Sequence, residues 1–365
     1  MVAGITFGLV GGNWDFAWHR SIGRDTFWTP PHILVQMAGL LVGIASAYTI
    51  LTTTLAGNNS RAREASVHVL GFYAPVGAFI AFWGSLAMVA SAPFDNWWHN
   101  AYGLDVQFIT PPHGLLSMGY FAAQIGAMAW TASMINRSDK ALQGRLAWLL
   151  LTVGSICVTL LSVMIMPLTL RVYMHTATCY LAVALFIPSM MIAAGWGSTF
   201  KWGCTMVGVV YTGIELLSEW LLPLFPAQPK LGPVYHNVTH LMPLQFPLLL
   251  IVPAFVADLV LHRLERRSSW IKAAWVGPAF VLSFLAAQWP FANFLMVPAS
   301  RNWVFGTAYF AYFDPAGFLY DSYQFRVAEK TSAAFVLTLV VALVFSVVTT
   351  RIGLEWGDWM RRVRR

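Results

Sequence analysis

Apolar runs of about 18 residues or more recur along the whole chain, each long enough to cross the hydrocarbon core of a bilayer. That feature decides the fold class before any other is consulted. Only 10% of the 365 residues are charged, where a soluble domain carries about a quarter, and mean hydropathy is +0.63. The reading is all-α: a polytopic integral membrane protein in the lipid bilayer, with one transmembrane helical domain over 1–365. Nine spans are expected, at 33–56, 69–92, 113–135, 146–166, 178–198, 203–222, 244–262, 273–290 and 331–350. Residues 1–12 are apolar but too short to cross, and they lack the basic flank of a cleavable signal. Cys157, Cys179 and Cys204 lie in apolar segments without a CxxC spacing, which suits buried small hydrophobes.

The basic residues assign an orientation. Fifteen of the 22 Lys and Arg fall in the connections after the first, third, fifth and seventh spans and in the tail. The other seven (Arg20, Arg24, Arg171, Lys230, Arg301, Arg326 and Lys330) fall on the opposite side. Positive charge collects on the cytoplasmic side, so the N-terminus is expected outside and the C-terminus in the cytoplasm of a bacterial-type cell membrane. The net charge of +7 is then a cytoplasmic membrane-surface feature, and no nucleic-acid partner is expected. On the same assignment, seven of the nine histidines face outward: His19, His32, His99, His113, His175, His236 and His240.

Four of those histidines belong to a pattern the chain writes twice. WDFAWHRSIGRDTFWTPPH, residues 14–32, is matched by FDNWWHNAYGLDVQFITPPH, residues 94–113, with one residue inserted. Asp15, His19, Gly23, Asp25 and His32 align with Asp95, His99, Gly103, Asp105 and His113. Asp and the first His stand four apart, which puts them on one face of a helix. The glycine permits a turn. Pro-Pro then ends one segment and opens the next span, leaving the last His at its mouth. Asp, His, Asp and His can thus converge, and carboxylate plus imidazole without thiolate suits copper(II), zinc or iron(II). A structural reading stands beside this one: Asp as a helix cap, His in an aromatic interfacial belt, and TPP as a helix entry. Polar groups kept at membrane depth favour the metal reading. Residues 14–135 then form a duplicated Asp/His region, and 136–365 the remaining bundle.

Further candidates lie downstream. YHNVTH places His236 and His240 four apart, a possible bidentate pair if helical. Glu215 and Glu219 share that spacing inside a span, where carboxylates are costly and act as ligands, proton carriers or partners of Arg171 or Lys230. Glu219, nearer the surface, is the favoured functional group, and Glu219, His236 and His240 are the catalytic candidates. His175 reads as an interfacial histidine. The aromatic connection 291–330 is a lid or an interfacial hairpin, with Asp314 and Asp321 as caps.

The Asp-x3-His-x12-His spacing of Asp15, His19 and His32 resembles the copper site in the C subunit of particulate methane and ammonia monooxygenases. The second copy departs by one residue in its last gap. GNWDFAWHRSIGRDTFW, LLSEWLLPLF, THLMPLQFPLLLIVPAFVADLVL and LAAQWPFANFLMVP are similar to stretches of the A subunit, covering a third to a half of the chain loosely. The pattern also resembles that of bacterial membrane proteins with a DxxWH…PPH motif. The resemblance implies an outward copper site that activates dioxygen to hydroxylate a small apolar substrate. Asp15, His19, His32, Asp95, His99 and His113 would be ligands, and Asp25 and Asp105 further ligands or groups that orient the histidines. The alternative is a non-catalytic metal-binding or assembly subunit of a respiratory or monooxygenase complex. Other membrane subunits, or further copies of the chain, would be its partners. Paired Asp argues against axial-His binding of haem or chlorophyll, and the lack of Met or Cys runs against a copper permease.

Overall fold

The computed structural model describes residues 1–23, 28–56, 61–103, 110–170, 173–230, 238–295, 297–300, 302–305, 329 and 331–365. Its helices are α1 (Val2–Ser21), α2 (Pro30–Leu55), α3 (Arg61–Glu64), α4 (Val76–Tyr102), α5 (Pro111–Ile135) and α6 (Lys140–Met164). They continue as α7 (Met166–Thr169), α8 (Ala177–Gly197), α9 (Gly203–Leu221), α10 (Ile251–Arg263), α11 (Ser269–Leu295) and α12 (Ser332–Met360). Among the described residues seven helices, α2, α4, α6, α8, α9, α11 and α12, are long and apolar enough to cross a membrane. α8 lies in the middle of the bundle, while α2 and α12 are peripheral. The periphery exposes Ile44, Tyr48, Leu55, Leu337 and Val344, a surface suited to lipid and costly in water. This is a multi-pass helical membrane protein.

Three expected elements differ from the structure. Residues 1–12 belong to a longer helix: nothing between Gly12 and Ser21 breaks it, so α1 runs 20 residues. It returns along α2, with Gly4 against Val42 and Ala38. The span expected over 69–92 begins later and ends later. Residues 67–74 form a two-stranded hairpin, β1 (Val67–Val69) with β2 (Phe72–Ala74), in the register Val67↔Ala74. Leu70 and Gly71 both take positive φ, as a two-residue hairpin turn requires, and Pro75 is the N-cap of α4. The span expected over 244–262 is helical only from Ile251: Pro243 and Pro247 each remove a backbone donor and disfavour helical geometry in the residue before them, while Pro253 falls within the first turn. α5 has 25 residues and was expected as a span, but it is less apolar than the seven.

Small residues set the helix spacing at the site. α1, α2, α4 and α5 form a ring in which α1 touches α2 and α5, and α4 touches α2 and α5. Between α4 and α5 the backbones nearly meet: a Cβ on Gly77 would lie 2.2 Å from the Gly126 carbonyl oxygen, and one on Gly84 2.6 Å from that of Gly119. Without a hydrophobic drive between helices in lipid, such close backbone approach is a main source of association. Tyr120 of α5 donates its hydroxyl to Ile5 O of α1 at 2.5 Å, closing the ring.

Candidate metal centre

The ring brings four helix ends to one place. Asp15 and His19 lie in the last two turns of α1, and Asp95 and His99 in those of α4. His32 and His113 lie in the first turns of α2 and α5, each after an extended Thr and two prolines (Thr29 ψ 153°, Thr110 ψ 161°). Proline is pre-shaped for a first helical turn, and the residue before it is driven extended. The two chain segments therefore enter their helices alike. Gly23 (φ 106°) and Gly103 (φ 88°) take the left-handed conformation where α1 and α4 end, which any side chain would resist.

Two triads result. Asp15 Oδ1 lies 3.0 Å from His32 Nε2 and 3.5 Å from His19 Nε2. Asp95 Oδ2 lies 3.4 Å from His99 Nε2, and its Oδ1 3.6 Å from His113 Nε2. Three of these four separations exceed the usual N–H···O hydrogen-bond range. They match the roughly 3.3 Å between neighbouring donors around a tetrahedral ion with bonds of about 2.0–2.1 Å. The donor atoms of Asp15, His19 and His32 all lie within 4.8 Å of one another, so one ion could take all three. The Asp95 triad is more open, sharing its carboxylate through two different oxygens. His113 acts electrostatically on both Asp15 and His19, so the triads are neighbours. α1 lies outside the seven spans, and burial there, partly opposed by the Asp15 carboxylate, lowers the His19 pKa below its ordinary value. That favours the neutral imidazole a metal needs. The helices that carry the two triads touch through the α1–α5 and α2–α4 contacts.

The other expected residues fare differently. Asp25, Asp105, His236, Asp314 and Asp321 lie outside the described residues. His240 is not on a helix. It pairs in an isolated bridge with Pro226, and its Nδ1 lies 2.9 Å from Thr239 Oγ1. Pro226, Pro229 and Pro243 disfavour helix on either side of it, and the expected pairing of His240 with His236 falls outside the described residues. Glu219 is buried near the end of α9. His175 packs edge-on against Trp289 at 4.8 Å.

A brace around α1 was not foreseen. Arg20 Nη1 donates to Pro243 O at 2.6 Å and to Leu244 O. Ser21 Oγ accepts from Met242 N at 2.6 Å, and Ile22 O from Lys230 N at 2.9 Å. Trp14 and Ile22 pack with Ala227 and Leu241. These bonds fasten the residues beside His19 to a proline-rich segment more than 200 residues away. The only signal in the sequence was an arginine next to a candidate ligand.

Fold and site together define a multi-pass helical membrane protein with an Asp/His group able to hold a metal ion. No known family model, curated protein or solved structure matches the chain.

Proposed function

We propose that this protein is a membrane metalloprotein whose two Asp-His-His triads form one centre on the extracytoplasmic face, with copper as its metal. The convergence of Asp15, His19 and His32 donor atoms within 4.8 Å carries the reading. Zinc and iron(II) accept the same donors, and two imidazoles with one carboxylate is a set that iron oxygenases also use. Copper bound there would supply dioxygen activation, for hydroxylation of a small apolar molecule arriving from the bilayer. The chain itself contributes geometry: α1 and α4 orient each carboxylate between two imidazoles, and the glycine contacts keep the four helix ends together. Asp25 and Asp105 would add ligands or orient the histidines, and Glu219, His236 and His240 would serve proton transfer beside the centre.

Elemental analysis of the purified protein tests this. Stoichiometric copper, zinc or iron is expected, and it is lost from the His19→Ala, His99→Ala double variant. A well-folded, metal-free wild-type protein refutes the centre, and the identity of a bound metal decides between copper and its rivals. Oxidation of small apolar substrates by the metal-loaded protein then separates an enzyme from a non-catalytic or assembly subunit.

A further inference from the structure

Away from the triads, a small cavity lies between α6, α9 and the unwound segment before α10. Ser162, Tyr211, Glu215, Gln245 and Pro247 are among its lining residues. It has room for about one water-sized body. Glu215 is 7% exposed, and its Oε1 has no hydrogen-bond partner among the described residues. Gln245 Oε1 is likewise buried without a partner among the described residues, and Ser162 Oγ lies buried beside Tyr211. Gln245 spends its amide N–H on Thr169 O at 3.2 Å, which leaves its oxygen facing elsewhere.

The backbone donors beside the cavity are already committed. Leu248 N donates to the Tyr211 hydroxyl at 3.2 Å, and Leu249 N to Gln288 Oε1 at 2.9 Å. Pro243 and Pro247 have no N–H to give. The wall is therefore rich in oxygen, and none of its lining residues is cationic. Non-helical backbone at membrane depth is tolerated where it is buried in protein or lines a cavity. Unwound segments of this kind, beside a carboxylate within the spans, are where membrane proteins bind small cations.

We propose that this cavity binds one dehydrated Na+, held by Glu215, Gln245 and Ser162. Glu215 supplies the single negative charge, and the neutral oxygens replace water. The cavity is too small for an organic cation, and its hard oxygen donors disfavour a soft metal. Sequence reasoning favoured Glu219, but the cavity and the unpartnered carboxylate belong to Glu215. This assignment stands independently of the metal centre.

Equilibrium binding of radiolabelled Na+ to the purified full-length protein, in detergent and mildly alkaline buffer, tests it. Saturable binding of one Na+ per chain is expected, not competed by choline. It should be lost in Glu215→Gln and weakened in Gln245→Leu, and unchanged in His19→Ala, His99→Ala. Should Glu215→Gln fail to fold, Gln245→Leu carries the comparison. Absence of saturable Na+ binding to the wild type overturns the proposal, because a proton and a buried water then occupy the cavity. Binding undiminished in a folded Glu215→Gln or Gln245→Leu protein overturns it equally.

Discussion

His19 and His99 each follow an aspartate by one helical turn, and that spacing alone placed them correctly. The i, i+4 relation needs only that the segment be helical, so Asp15–His19 and Asp95–His99 were legible from the chain. The entry of His32 and His113 was legible too, since Pro-Pro admits few starting geometries. Which nitrogens meet which oxygens was not legible, because that depends on how two helix pairs dock. His113 lies close enough to act on Asp15 and His19, and a single centre, as proposed, would draw on both triads. His19→Ala alone should therefore remove well over half of the bound metal, measured by elemental analysis at matched protein concentration. Retention of half, held as tightly as in the wild type, would establish two independent sites.

Helices and their joints were read less evenly. Proline accounts for two of the misses. It delays α10 until Ile251 and keeps His240 off any helix, although hydropathy reads straight through such interruptions. α10 makes a second contribution that no local pattern announced. Its buried Asp258 accepts from Cys204 N at 3.2 Å and from Thr205 N and Oγ1, both at 2.7 Å, capping α9 from a neighbouring helix. N-caps are usually supplied locally, so this one required tertiary knowledge. The α4–α5 contact joins the two helices that carry Asp95, His99 and His113. Gly84→Leu would drive a side chain into the Gly119 backbone, where an added Cβ already lies at 2.6 Å. Overpacking of this kind costs about 1–3 kcal/mol or more. The variant should show a lower thermal midpoint and reduced metal content. Gly144→Ala, with nothing within 4 Å of the added Cβ, should show neither. Equal behaviour of the two variants would mean that this contact does not position the triads.

At the scale of the whole molecule, the C-terminal ends of α8 and α12 meet Lys272, near the start of α11. There Trp196 lies between two cations, Arg361 at 4.0 Å and Lys272 at 4.8 Å from its ring. Its indole N–H donates to Asp358 Oδ1 at 2.8 Å, and Arg361 Nε donates to Trp196 O at 2.7 Å. α8, α11 and α12 are thus clasped at that end, and Asn136 joins α5 to the same clasp through Met360 O and Val363 O, each at 2.7 Å. An orientation was predictable from the sequence because charge near membrane boundaries is sorted by side. The clasp was not, since its members lie far apart in the chain. A reporter fused after Arg365 should read cytoplasmic, and one inserted beside Lys230 extracytoplasmic. An external C-terminus would reverse the side assigned to the metal centre.

The brace on α1 has a consequence in time. Both triads are complete in ligands once residue 113 has been made, yet the residues that fasten Arg20 and Ser21 are Met242, Pro243 and Leu244. A chain still on the ribosome therefore carries every side chain of both triads well before the segment that secures the first one. During that interval α1 lacks the hydrogen bonds that Arg20 and Ser21 make in the finished fold.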